Sequence, residues 1–222
     1  MPDEILPCST CEKPLPLCIC EAVSPIENAL SVVILRHPQE KDEKLGTARL
    51  VTLQLQNSIL KTGLSWPNLS KVIGRTADPK RWGILYLGTA KAAKDTHTKP
   101  LTVVDSKGGV SANQSDVLKN LEGIILLDGS WSQAKALWWR NAWMLKCSRL
   151  ILQPPRPSLY GQLRKEPRRE SVSTIEAAAY SLAFLQHDDT LEEKILAPFR
   201  LLLTKVRAEK TAKQPQPTPH AP

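Results

Sequence analysis

An apolar run, Gly123-Ile124-Ile125-Leu126-Leu127, ends on Asp128-Gly129-Ser130-Trp131 and continues as a helix pattern, Ser130-Trp131-Ser132-Gln133-Ala134-Lys135-Ala136. This is a strand, a tight acidic turn and a helix start, the point where α/β proteins place ligands and reacting groups. Asp128 stands where a carboxylate can protrude from a sheet edge, and Gly129 lets the backbone approach a ligand closely. Free N–H groups at the helix start suit an anionic group. Trp131 offers a flat face for a base or adenine, with a place in the core as the competing reading. Ser130 with Gln133, and Ser173 with Glu176, form capping-box patterns worth about 1 kcal/mol each as plain helix starts.

Elsewhere strand and helix signals alternate. Ser31–Arg36 is a short buried-strand pattern closed by His37-Pro38, and 83–87 and 101–104 are further strand candidates, the latter a possible edge. The spacing predicts helices over 47–61, 115–121, from Trp131 onward, 174–186 and 191–208, with a strand at 149–152. The alternation argues for an α/β fold with a largely parallel sheet and flanking helices. Trp138, Trp139 and Trp143 read as packing residues and Cys147 as a small buried one. Residues 210–222, rich in Pro and without apolar pattern, read as a disordered tail.

A chain of 222 residues, 41% hydrophobic, can bury one substantial core with a small appended module. Thirty Lys plus Arg against 22 Asp plus Glu leave a net charge of +8, which favours a polyanionic partner, nucleic acid before an anionic membrane surface. The first residues show neither a basic n-region nor an apolar h-region, and the longest apolar stretch, Ala177–Leu185, is too short to span a bilayer. We therefore expect a cytoplasmic protein with reduced thiols.

Within residues 1–24, Cys8-x-x-Cys11 and Cys18-x-Cys20 bring four soft ligands close together, as tetrahedral zinc requires. Ligation would also order a segment too short for its own core. Two disulfides and free thiols are the competing readings; a reducing compartment disfavours the first. Four thiolates leave no open position, so the expected zinc is structural. In the 153–172 loop, Arg156, Arg164, Lys165, Arg168 and Arg169 crowd together with Tyr160 among them, a basic-aromatic mixture suited to phosphates and a stacked base. Glu166 and Glu170 dilute the cluster, and a solvated charged loop is the alternative. Arg36 and His37 end the first strand and can face the same site.

The ordered set Cys8-x2-Cys11-x6-Cys18-x-Cys20, Arg36-His37-Pro38-x-Glu40, Thr47-Ala48-Arg49-Leu50, Asp128-Gly129-Ser130-Trp131 and Ser173-Thr174-Ile175-Glu176-Ala177 resembles the DTW-domain family of tRNA-uridine aminocarboxypropyltransferases. Two positions depart from the family pattern: Ser130 stands for Thr, keeping the hydroxyl, and Gly46 stands where an Asn is expected. The resemblance implies a SPOUT-like knotted fold over about 25–209 behind the zinc module. It also implies S-adenosylmethionine as donor and transfer of its 3-amino-3-carboxypropyl group to N3 of a tRNA uridine. On that basis Asp128 is the expected base. The expected donor pocket is Leu87, Gly88, Thr89, Leu127, Gly129, Ser130, Trp131, Leu152, Gln153, Pro154 and Arg156, closed by Ser173, Thr174 and Glu176. RNA contacts are expected from Arg36, His37, Arg49, Tyr160, Arg164, Lys165 and Arg168. An RNA methyltransferase of related fold and a non-catalytic zinc-containing RNA-binding module are the competing functions.

Overall fold

The computed structural model describes residues 6–40, 44–85, 100–164 and 171–212. Its strands are β1 (Ser31–Arg36), β2 (Ser58–Thr62), β3 (Trp82–Leu85), β4 (Leu101–Val104), β5 (Gly123–Asp128) and β6 (Ser148–Leu152). Its α-helices are α1 (Ala48–Gln54), α2 (Leu69–Ile73), α3 (Gln114–Lys119), α4 (Trp131–Arg140), α5 (Thr174–Gln186) and α6 (Thr190–Ala212). The strands form one sheet in the order β2-β1-β5-β3-β6-β4, parallel except for β4, which runs antiparallel to β6 at the edge. A mostly parallel α/β sheet is thus observed, with 101–104 in its anticipated edge position.

Alternate residues of β1 serve opposite faces, as strand geometry requires. Val32 and Ile34 join a core with α1, α5 and α6, whereas Val33 and Leu35 pack with α2, α4 and Trp143. Both faces being covered explains why β1 and β5 read as continuous apolar runs. Gly123 permits the close fit at the start of β5, because a Cβ there would lie 2.4 Å from the Ser31 carbonyl oxygen and 2.6 Å from the Trp82 ring.

Two element readings and one side-chain reading need correction. The helix expected over 47–61 stops at Gln54, and its second half is strand β2. The Asn28 side chain fixes that break: its Oδ1 accepts from Asn57 N at 3.0 Å and its Nδ2 donates to Asn57 O at 3.0 Å, while β2 pairs with β1. Tertiary pairing outweighs the helical spacing of Leu50, Leu53, Asn57 and Leu60. Second, α6 continues to Ala212, so residues 210–212 are helical. Third, Trp139 is 79% exposed, while Trp143 and Cys147 are buried as anticipated.

The N-terminal segment is built into the body of the protein. Cys11, Leu17 and Ile19 belong to the same core as α5 and α6. Lys13 Nζ donates to Gly46 O at 2.6 Å, Arg49 Nε to Thr10 O at 3.3 Å, and Lys205 Nζ to Cys18 O at 2.5 Å. No helix among the described residues is long and apolar enough to cross a membrane.

Candidate active site

The register of the sheet sets the site. Arg36 is the partner of Asp128 across β1 and β5, and five parallel strands finish on one edge. Two motifs some ninety residues apart therefore end side by side. His37 N donates to Asp128 O at 3.0 Å, which extends the pairing one residue into the turn. The Asp128 side chain, 13% exposed, receives a hydrogen bond at Oδ1 from Thr174 Oγ1 at 2.6 Å. Its Oδ2 faces Arg36 Nε at 3.8 Å, an ion pair without a hydrogen bond. That Nε is buried and has no hydrogen-bond partner among the described residues.

Burial raises the Asp128 pKa above the ordinary carboxylate value, and the Thr174 hydroxyl and the Arg36 charge act in the opposite direction. A carboxylate that is desolvated and held at one oxygen by a hydroxyl can accept a proton from a bound group at the other.

The turn after Asp128 is locked. Gly129 has φ +147°, and a Cβ there would lie 2.8 Å from Gln133 Oε1. Ser130 N donates to that Oε1 at 2.7 Å and Ser130 Oγ accepts from Gln133 N at 3.4 Å, completing the capping box. The second box, at Ser173, delivers Thr174 to Asp128. Its Glu176 is fully buried, and its carboxylate accepts from Ser173 N and Oγ, Ser158 Oγ and Leu159 N, all within 2.8 Å. Glu176 thus fastens the loop after β6 to the start of α5 and has no exposed edge to offer a donor. Sequence reasoning missed the buried Thr47, whose Oγ1 accepts from Ile175 N at 3.2 Å and so joins the Thr47-Ala48-Arg49 motif to this helix start. Its signal was its place beside Arg49 in a motif.

The structure gathers Arg36, His37, Leu127, Asp128, Gly129, Ser130, Trp131, Ser173 and Thr174 around one strand edge. Leu152 ends β6, and Gln153 N is tied to Pro100 O at 2.8 Å; Pro154 follows, half-buried. Arg156 instead pairs with Glu192 and lies over the Tyr180 ring at 5.8 Å. Tyr160 is 1% exposed: its hydroxyl donates to Leu45 O at 2.7 Å and its ring meets Phe199 edge-on at 5.1 Å. It is a core residue with no face free for a base, and Arg164 stacks over its ring at 5.4 Å. His37 is buried and its Nδ1 accepts from Gln39 N at 3.1 Å, a local turn bond. Arg49 is 3.6 Å from Glu12 and braces the N-terminal segment. Leu87, Gly88, Thr89, Lys165 and Arg168 lie outside the described residues. A broad depression of about 1030 Å³ between Asn28, Asn57 and Gln186 occupies the opposite edge of the sheet and holds none of the predicted site residues.

The four N-terminal cysteine sulfurs all lie within 4.8 Å of one another, with Cys8–Cys20 at 3.7 Å and Cys11–Cys18 at 3.9 Å. A tetrahedron with Zn–S bonds of about 2.3 Å has S–S edges of about 3.8 Å. The donor set fits zinc in both chemistry and spacing. Backbone N–H groups of Cys11 and Thr10 pull the Cys8 thiol down to about 6, whereas burial pushes Cys20 up to about 12. A cation would be needed to hold all four as thiolates.

The family model described as the DTW domain matches residues 6–207. Proteins named tRNA-uridine aminocarboxypropyltransferase 2 from Macaca fascicularis and Mus musculus are 26% identical to this chain over 201 and 202 residues, covering 88% of it and 61% of theirs. The protein of that name from Drosophila melanogaster is 28% identical over 201 residues, 88% of this chain and 72% of its own. This chain therefore spans about three fifths of the first two relatives. No solved structure matches it.

Proposed function

We propose, from the premise that this chain belongs to the DTW domain family, that it is a tRNA-uridine aminocarboxypropyltransferase acting in the cytoplasm. The observation that carries the reading is the Asp128 carboxylate, desolvated at the strand edge and held between Thr174 and Arg36. Its relatives' names supply the reaction class. S-adenosylmethionine, when bound, supplies an electrophilic carbon next to a sulfonium. Asp128 Oδ2 takes the N3 proton of the uridine, and the N3–C bond forms as the C–S bond breaks and methylthioadenosine leaves. Thr174 fixes the carboxylate's orientation, and Arg36 stabilises its charged form before the proton arrives. The 128–131 turn and the 152–154 segment are the described parts of the donor enclosure. Its N–H groups at the start of α4 suit the donor's carboxylate, and Trp131 suits its adenine.

The knotted course of a SPOUT-like fold is part of this proposal. It is supported by the entry of β5 between β1 and β3, two strands already laid down, rather than at the sheet's margin. A structural zinc on Cys8, Cys11, Cys18 and Cys20 is likewise proposed from their spacing. In this proposal the buried Tyr160 and Glu176 are left out of the RNA and donor contacts, and Arg36 and Arg164 are kept as RNA contacts.

Incubating tRNA with S-adenosylmethionine and the protein, then weighing the nucleosides, tests the assignment. A uridine heavier by the aminocarboxypropyl mass is expected, lost in Asp128→Asn by about 10²–10⁴-fold in rate. An adduct of methyl mass would replace this reading with the methyltransferase, and no adduct at all would favour the binding module.

A further inference from the structure

Helix α4 carries the active-site turn at its start and, at its far end, an exposed face that the transfer chemistry does not use. Trp139 is 79% exposed although it sits in a folded helix, and Leu145 just beyond is 63% exposed. Lys135 lies one helical turn before Trp139 on the same face. Arg140 and Lys146 are also exposed, and none of the three cations has an ion-pair partner among the described residues. From Gly129 to Arg164 the sequence contains no Asp or Glu.

This corner is tied together by side-chain hydrogen bonds. Asn141, buried at the end of α4, donates from Nδ2 to Leu64 O at 3.0 Å and Leu137 O at 2.7 Å, and accepts at Oδ1 from Trp66 N at 2.8 Å. Trp143 Nε1 closes the network on Trp66 O at 3.1 Å. An indole displayed on such a frame loses little freedom on binding. Trp139 stands about 12 Å along the helix axis from Trp131.

We infer that the outer face of α4 is an RNA-docking surface, on which Trp139 stacks an unpaired base of the tRNA while Lys135, Arg140 and Lys146 hold the neighbouring phosphates. It rests on the proposed function for the identity of the RNA, but the surface itself is argued from charge and exposure. A polyanion with exposed π-faces matches a cationic, aromatic face built on an acid-free stretch of sequence. A second copy of the chain docking face to face would set the same cations against each other, so charge selects RNA over self-association.

Unfractionated tRNA is the probe, with binding followed against salt concentration. Trp139→Ala is expected to weaken binding by roughly 5- to 150-fold, and Trp139→Phe to retain most of it. Replacing Lys135, Arg140 and Lys146 with Gln should lower the slope of log affinity against log salt by about 2 to 3. In turnover, Trp139→Ala should raise KM for tRNA with kcat kept. Unchanged affinity and slope in both variants would overturn the docking surface while leaving the transferase intact. So would a wild-type dimer in sedimentation that Trp139→Ala dissolves. Salt-sensitive tRNA binding lost in these variants, without any aminocarboxypropyl product from the wild type, would keep the surface and sink the proposed function.

Discussion

Asp128 is held by forces of opposite sign. Burial disfavours its charge, and a hydroxyl and a guanidinium restore part of what burial removes. Because its folded pKa lies above the ordinary value of 3.8, the group contributes stability that is present below that value and lost as pH rises through the raised one. Asp128→Asn should therefore unfold at higher denaturant than the parent at neutral pH, with the gain vanishing in acid. Chemical denaturation at two pH values checks this. Thr174→Val removes the donor that favours the carboxylate, so the Asp128 pKa rises further. A base must be deprotonated to act, and activity is lost as pH falls through its pKa. The acid limb of kcat/KM should then lie at higher pH in the variant, and an unmoved limb would remove Asp128 from the role of base.

At the scale of elements, the start of α5 matters more than its cap alone suggests. A capping box needs Glu176 to satisfy one N–H, whereas here the same carboxylate receives four donors from two segments. Glu176→Ala would strand the buried donors of Ser173 and the half-buried ones of Ser158 and Leu159. We expect a loss of about 2–4 kcal/mol in urea unfolding. Impaired turnover should accompany it, because Thr174 is the next residue. The small side chains Ala177, Ala178, Ala179 and Ala183 let α5 lie close to the sheet and keep that hydroxyl within reach of β5. The S-x-x-E spacing was enough to anticipate the box and the helix over 174–186. The loop it anchors was not legible, because Ser158 and Leu159 carry no mark in sequence of a partner seventeen or eighteen residues away.

For the whole molecule, the cysteine segment and the α/β body share one core, so the metal site and the fold should fail together. Chelation of zinc, or Cys11→Ser, should lower the Tm of the entire protein in a single transition rather than release the first residues alone. Calorimetry with elemental analysis reads both. The same contrast runs through the rest of the chain. Local order was legible in sequence: the β5–turn–α4 unit, both capping boxes and the cysteine spacing all depend on neighbours a few residues apart, whereas the antiparallel pairing of 101–104 with β6 does not. What only the tertiary structure decided depends on long-range pairing, whose free energy no short window contains. Strand β2 formed from a stretch with helical spacing because β1 and Asn28 were there to receive it. Tyr160 turned inward onto Phe199, and Trp139 remained in solvent. Arg36 and Asp128 met because parallel strands in register finish at the same edge, and Thr174, nearly 140 residues from Arg36, reached them from the start of α5.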